Sequence, residues 1–203
     1  MIKLFIKKLL FVLFTGLAVS GFMACEEEFL SPDAGKKLVF SQDTLAFDTV
    51  FTTVGSATSK ILVYNPHNKA FKINNVSLSG GSASSFRINV DGAVSANNSF
   101  NDIVIGAKDS LYIFVEVTIN PLQENAPVLV QDSIMFTYGN SRQRVLLEAY
   151  GQDMIPLKDF KIKNDMTFSA DKPYLVYGDL IVDSAKTLTL SPGCRLYFHN
   201  NAR

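Results

Sequence analysis

Tryptophan is absent from the 203 residues, and cysteine and histidine occur only twice each. Two cysteines exclude a disulfide framework. So few thiol and imidazole ligands leave no metal site to expect. A surplus of one charge is lacking too, since 19 basic residues balance 19 acidic ones. Neutralising phosphates needs a basic surplus, so no nucleic-acid partner is expected. Catalytic signatures are missing as well: no Gly-x-Ser-x-Gly, phosphate-binding glycine loop or His-Glu-x-x-His occurs. Ser169-Ala170-Asp171-Lys172 spells a Ser-x-x-Lys pair, but that chemistry needs a helical turn, which Pro173 forbids. His67 and His199 lie in polar turns and read as solvated, and Cys194 reads as a buried, inert thiol. Asp165, Asp171, Asp179 and Asp183 sit at turns, where Asp bonds its local backbone. No catalytic residue and no cofactor is therefore expected.

What is present starts with an address. Lys3, Lys7 and Lys8 precede an apolar run over residues 9–19, and small residues then lead to Cys25. A charged start, a run too short to span a bilayer and a small-residue cut describe a signal peptide over residues 1–24. After Cys25 the chain holds 16 basic and 19 acidic residues, a net charge of −3. Phe22-Met23-Ala24-Cys25 resembles a bacterial lipobox, which implies that Cys25 carries the lipid and anchors the protein to a membrane. Glu26, Glu27 and Glu28 resemble the export signal of Bacteroidetes lipoproteins, which implies an outer-membrane, surface-exposed location. The other reading of that triplet is a solvated tether, and residues 25–37 read as a flexible spacer either way.

Residues 38–153 read as an all-β unit with no helix. Leu111, Ile113, Val115, Val117 and Ile119 alternate with Glu116 and Thr118, the period of a half-buried strand. Further strands are expected at 44–51, 59–64, 71–78, 86–90, 103–105, 133–138 and 142–150, separated by Asn-Pro, Gly-Gly, Asp-Gly and Gly-Asn turns. That number and rhythm is the pattern of an immunoglobulin-like β-sandwich. The run Asp43–Gly81, the strand into Pro121 and the closing strand at Gly151 resemble the abnormal-spindle/hydin type of sandwich domain. The resemblance implies a scaffold or contact module without catalytic residues.

Residues 154–203 change character. They read as a linker followed by short strands at 175–177, 180–182, 187–190 and 195–198. This resembles the opening of a right-handed parallel β-helix. Coils bury their apolar rows only by stacking, so one or two coils imply a truncated β-helix, a frayed tail prone to association. The other reading adds these strands to the sandwich or to a partner.

Asp followed by Ser or Thr and an aliphatic residue occurs five times, placing Thr44, Thr49, Ser110, Ser133 and Ser184 in one context. The tripeptide resembles the O-glycosylation acceptor of Bacteroidetes exported proteins, and it equally describes a turn entering a strand. The expected function is a lipid-anchored, non-catalytic surface scaffold or binding module contacting a glycan or an envelope protein. Its rivals are a structural envelope component and the N-terminal part of a polysaccharide-degrading β-helix enzyme.

Overall fold

The computed structural model describes residues 35–203 and the main chain of Phe29–Leu30. Among the described residues the protein is all-β, with one 3-10 turn at Gly81–Ala83 and no α-helix. The first strands are β1 (Phe29–Leu30), β2 (Val39–Phe40), β3 (Thr44–Phe51), β4 (Ser59–Tyr64) and β5 (Ala70–Leu78). Next come β6 (Phe86–Val90), β7 (Ala93–Val94), β8 (Ser99–Ile105), β9 (Ser110–Val117), β10 (Val128–Tyr138) and β11 (Ser141–Gln152). The tail adds β12 (Ile155–Ile162), β13 (Met166–Phe168), β14 (Tyr174–Val182), β15 (Leu188–Leu190) and β16 (Leu196–Phe198).

One sheet runs β1-β5-β10-β11-β3, with β8 also on β5, and a second runs β2-β4-β9-β6-β7. Alternation along each strand sends one set of side chains inward. Ile61, Val63, Ile113 and Val115 of the second sheet join Phe71, Ile73, Phe136 and Leu147 of the first in one fully shielded core. Each such side chain contributes about 1.5–3 kcal/mol on burial. The two-residue turn Gly139–Asn140 closes the β10–β11 hairpin, with Gly139 at φ +50°, a conformation that suits glycine.

Two polar side chains fix where the chain changes sheets. Gln143 accepts a hydrogen bond from Leu38 N at 2.9 Å and donates one to Leu38 O at 3.1 Å. The segment entering β2 is thereby tied to the first sheet. Asn65, fully buried, donates to the carbonyls of Ile105 and Gly106 and accepts from His67 N at 3.0 Å. Its amide satisfies a buried corner that water cannot reach.

The tail forms its own core from Leu157, Ile162, Phe168, Tyr174 and Val176. Its strands pair in parallel: β12 with β14, β14 with β16, and β13 with β15. Ile155, Tyr174 and Leu196 are register partners, as are Leu157, Val176 and Phe198. Each of these three passes turns at its fifth residue, and Asp159, Gly178 and Asn200 all adopt positive φ, at +43°, +73° and +49°. The linker expected before residue 175 is thus two strands. The break expected at Gly178-Asp179 is a bulge inside one strand, because the coil bends there while its ladder continues. The five members of this core are each at most 7% exposed, while Val182 and Leu190 further along the tail are 42% and 50% exposed.

Candidate functional site

Cys25, Glu26, Glu27 and Glu28 lie outside the described residues. Of the five hydroxyl candidates, Thr44, Thr49 and Ser184 are exposed and Ser110 is half-buried. Ser133 is buried, only 9% exposed, and its carbonyl accepts from Ser79 N at 3.0 Å. The strand does not begin at this residue; β10 starts five residues earlier and carries Ser133 into the sheet. A glycan at Ser133 has no room, so that expectation is withdrawn. Asp109, Asp132 and Asp183 each accept a hydrogen bond from the next residue's N–H, at 2.7, 2.7 and 3.0 Å. Three of the five tripeptides thus have a local structural job for their Asp.

The outward face of the first sheet mixes charged and apolar groups. Gln131, Arg142, Arg144 and Glu148 meet solvent, with Gln131 bonded to Glu148 at 2.6 Å. Beside them the register partners Leu129 and Tyr150 are 42% and 49% exposed. On the second, Tyr112 and Phe114 stand 44% and 38% exposed, their nearly parallel rings 6.2 Å apart. Leu62 is the register partner of Tyr112, and Lys60 is that of Phe114. The Lys60 ammonium lies 5.1 Å from the centre of the Tyr112 ring, within cation–π range. Asn89, opposite Phe114, has a buried Oδ1 without a hydrogen-bond partner. Sequence reasoning named the outward Glu116 and Thr118 of the expected strand and passed over Tyr112 and Phe114. The signal was there, because positions 112 and 114 hold aromatics where a solvated face would hold polar groups.

A cleft of about 400 Å³ lies at the seam between the two cores, lined by Thr52, Pro121, Gln123, Asp153, Pro156 and Lys172. Asp153, 5% exposed, accepts from Leu122 N at 2.9 Å and pairs with Lys172 at 3.2 Å. Burial pushes its carboxyl up. The Leu122 and Gln123 amides, the Lys172 ammonium and the Thr52 hydroxyl outweigh that and hold it below the usual carboxylate range. Beside it Gln152 is 1% exposed, and its Oε1 has no partner. A buried acceptor of that kind is what an internal water satisfies.

Lys172 is therefore committed to Asp153, while Ser169 donates to Asp171 at 3.0 Å in a bend. The Ser-x-x-Lys pair is not brought together. His67 is more than a solvated residue: its ring stacks on Phe71 and its Nε2 meets Lys37 O at 3.1 Å. Cys194 is a half-buried free thiol against the tail core. The tail acids brace coils. Asp159 accepts from Asp179 N at 3.2 Å, Asp165 from Thr187 N at 2.8 Å, and Asp183 pairs with Lys161 at 3.2 Å. Lys161 first, then the Ser184 amide, lowers the Asp183 carboxyl from its ordinary value. Among the described residues no three His, Cys, Asp or Glu side chains gather as a metal site. Nor is any described helix long and apolar enough to cross a membrane.

No family model and no curated protein matches the chain. Among solved structures it is similar to a family 123 glycoside hydrolase from Clostridium perfringens, at 13% identity and a TM-score of 0.38. The match covers 57% of this chain and 26% of that one.

Proposed function

We propose that the protein is a lipid-anchored, outer-membrane surface protein that makes contacts and performs no chemistry. In this reading Cys25 carries the lipid, Glu26, Glu27 and Glu28 direct export, and residues 38–153 are an immunoglobulin-like sandwich. Residues 154–203 are the first coils of a parallel β-helix, in which Asp159, Gly178 and Asn200 form one stacked corner. The partner is a glycan or an envelope protein. Thr44, Thr49, Ser110 and Ser184 remain the candidate O-glycosylation sites.

The observation that carries a contact role is the exposed, stacked pair Tyr112 and Phe114 on one sheet face, with the Lys60 ammonium over the Tyr112 ring. Aromatics of this kind supply contact area at low entropic cost and carry a polar handle in Tyr. A second reading, the N-terminal part of a polysaccharide-degrading β-helix enzyme, draws on the in-register parallel pairing of the tail strands.

The test joins address to contact. Cys25→Ala should abolish fatty-acid labelling and release the full-length chain from membranes. Replacing the three glutamates with Ala should keep the lipid and remove protease access on intact cells. Tyr112→Ala with Phe114→Ala should reduce retention of the full-length chain on envelope polysaccharide and on envelope protein fractions. Undiminished labelling without Cys25 removes the anchor, and undiminished retention on both fractions removes the contact face.

A further inference from the structure

The seam between sandwich and tail holds more than one cleft. Beside the cleft of about 400 Å³ lies another of about 500 Å³, and Thr53, Met154 and Pro156 line both. The two therefore adjoin and form one groove along the junction. Clefts of this size between packed units are where small ligands are most often held.

Backbone strain gathers at this groove. Among the described residues nine other than glycine have positive φ, and three of them, Thr53, Gln123 and Asp159, line it. Thr53 is the least suited of the three, because a branched Cβ crowds the left-handed region at φ +65°. Its N–H donates to Ile119 O at 2.8 Å and holds it there. Its exposed hydroxyl has no partner among the described residues. Strain of this kind persists only where the surrounding structure imposes it, and it concentrates at ligand sites.

The groove offers both signs of charge and both senses of hydrogen bond. Lys158 is exposed, has no acidic partner among the described residues and lies 6.0 Å from the centre of the Tyr177 ring. Asp159 spends Oδ1 on Asp179 N, which leaves Oδ2 to accept. Gln123 adds an exposed amide, donor and acceptor together. Half-buried Tyr177 adds apolar ring area and a hydroxyl. Lys158 and Lys172 are matched in number by Asp153 and Asp159, so the lining carries no net charge. A phosphate or an acidic polymer gains no attraction from such a lining. A sugar hydroxyl both donates and accepts, and the C–H face of a sugar ring packs on an aromatic one.

We propose that this groove binds a neutral oligosaccharide. Lys158 and Asp159 take one pair of its hydroxyls, Thr53 and Gln123 take another, and Tyr177 lies against its apolar face. The site goes beyond the Tyr112 and Phe114 face and needs neither that face nor the lipid.

The experiment is a titration of the full-length chain, in one fixed detergent, with neutral gluco-, manno- and xylo-oligosaccharides and with an oligogalacturonate. Saturable binding of a neutral oligosaccharide is expected, tighter than that of the acidic one and unchanged at high salt. Lys158→Met and Asp159→Asn should each weaken it about tenfold. Asn keeps an acceptor for Asp179 N and suits a positive φ. Lys186→Met is the control, an exposed lysine between β14 and β15, and should bind as the unsubstituted chain does. No binding of any neutral oligosaccharide, preference for the oligogalacturonate, or full affinity in both groove variants overturns the proposal. Binding that survives both variants but not Tyr112→Ala with Phe114→Ala places the glycan on the outer face and removes this site alone. Hydrogen exchange at Val176 separates a lost site from a lost fold. Should a groove variant exchange faster there, Gln123→Ala on the sandwich side decides in its place, with the same loss expected and full affinity again overturning the proposal.

Discussion

Asp153 and Lys172 meet across the seam between the two cores, Oδ2 to Nζ at 3.2 Å, with their side chains only 7% and 26% exposed. Asp153 directly precedes the tail and Lys172 directly precedes the second coil, so one pair fastens both ends of the first coil. A second contact spans the same seam, where the Phe51 and Tyr197 rings meet edge to face at 5.1 Å.

The first prediction follows from the lowered carboxyl of Asp153. A depressed folded-state pKa contributes stability that is complete above the unfolded value, about 3.9. That contribution is lost as pH falls through the folded value. Acidification below about pH 4 should therefore loosen the tail, read as new proteolytic cuts between Met154 and Tyr174. Asp153→Asn should produce the same cuts at neutral pH, at a cost of about 1–3 kcal/mol. In that variant the pH dependence over the acid window should shrink. An unchanged acid profile in Asp153→Asn would show that other carboxylates set it.

The second prediction separates the faces of β9. Val115 is fully buried between the sheets, while Glu116 is exposed and bonded to the Thr58 hydroxyl at 2.5 Å. Val115→Asp places an unpaired charge in the core and should abolish cooperative unfolding of the full-length chain. Glu116→Lys should shift stability by no more than about 0.5 kcal/mol. Denaturation followed by tyrosine fluorescence decides; similar losses in both would mean that the face assignment is wrong.

The strands at 59–64 and 86–90 were legible to the residue, because strict alternation writes a period of two into the chain. The strand at 44–51 has its expected bounds, although a register shift breaks its alternation between Phe47 and Val50. The strand 155–162 was not legible. Its inward residues Leu157, Phe160 and Ile162 lose that period at the positive-φ bend of Asp159, where the ladder shifts register and the partner strand carries the extra residue. Three-residue strands such as Met166–Phe168 carry no period at all and exist only through the neighbour they stack on. For the sites, the tripeptide pattern marks five hydroxyls, of which Thr44, Thr49 and Ser184 are exposed. It failed at Ser133, since sheet length upstream of a turn residue is a tertiary property. The Asp153–Lys172 pair was invisible for the same reason: 19 residues separate the partners, and only the return of the coil brings them together.

The last prediction concerns the coil corner. Gly178 sits at φ +73°, and a Cβ built there would come 2.0 Å from Asp159 Oδ1. Two separable penalties face Gly178→Ala, the left-handed backbone and the collision with the residue stacked beneath it. Together they should cost about 2–4 kcal/mol. The damage should stay in the tail: exchange should quicken at Tyr174–Val182 while β4 and β9 keep their protection. Adding Asp159→Ala removes the collision, at its own cost of an alanine at φ +43° and a lost acceptor for Asp179 N. The double variant should therefore lose less than the sum of the two single losses, a non-additivity expected of touching residues. Losses that simply add would mean that Asp159 and Gly178 do not stack in solution, and the corner column would lose its first step.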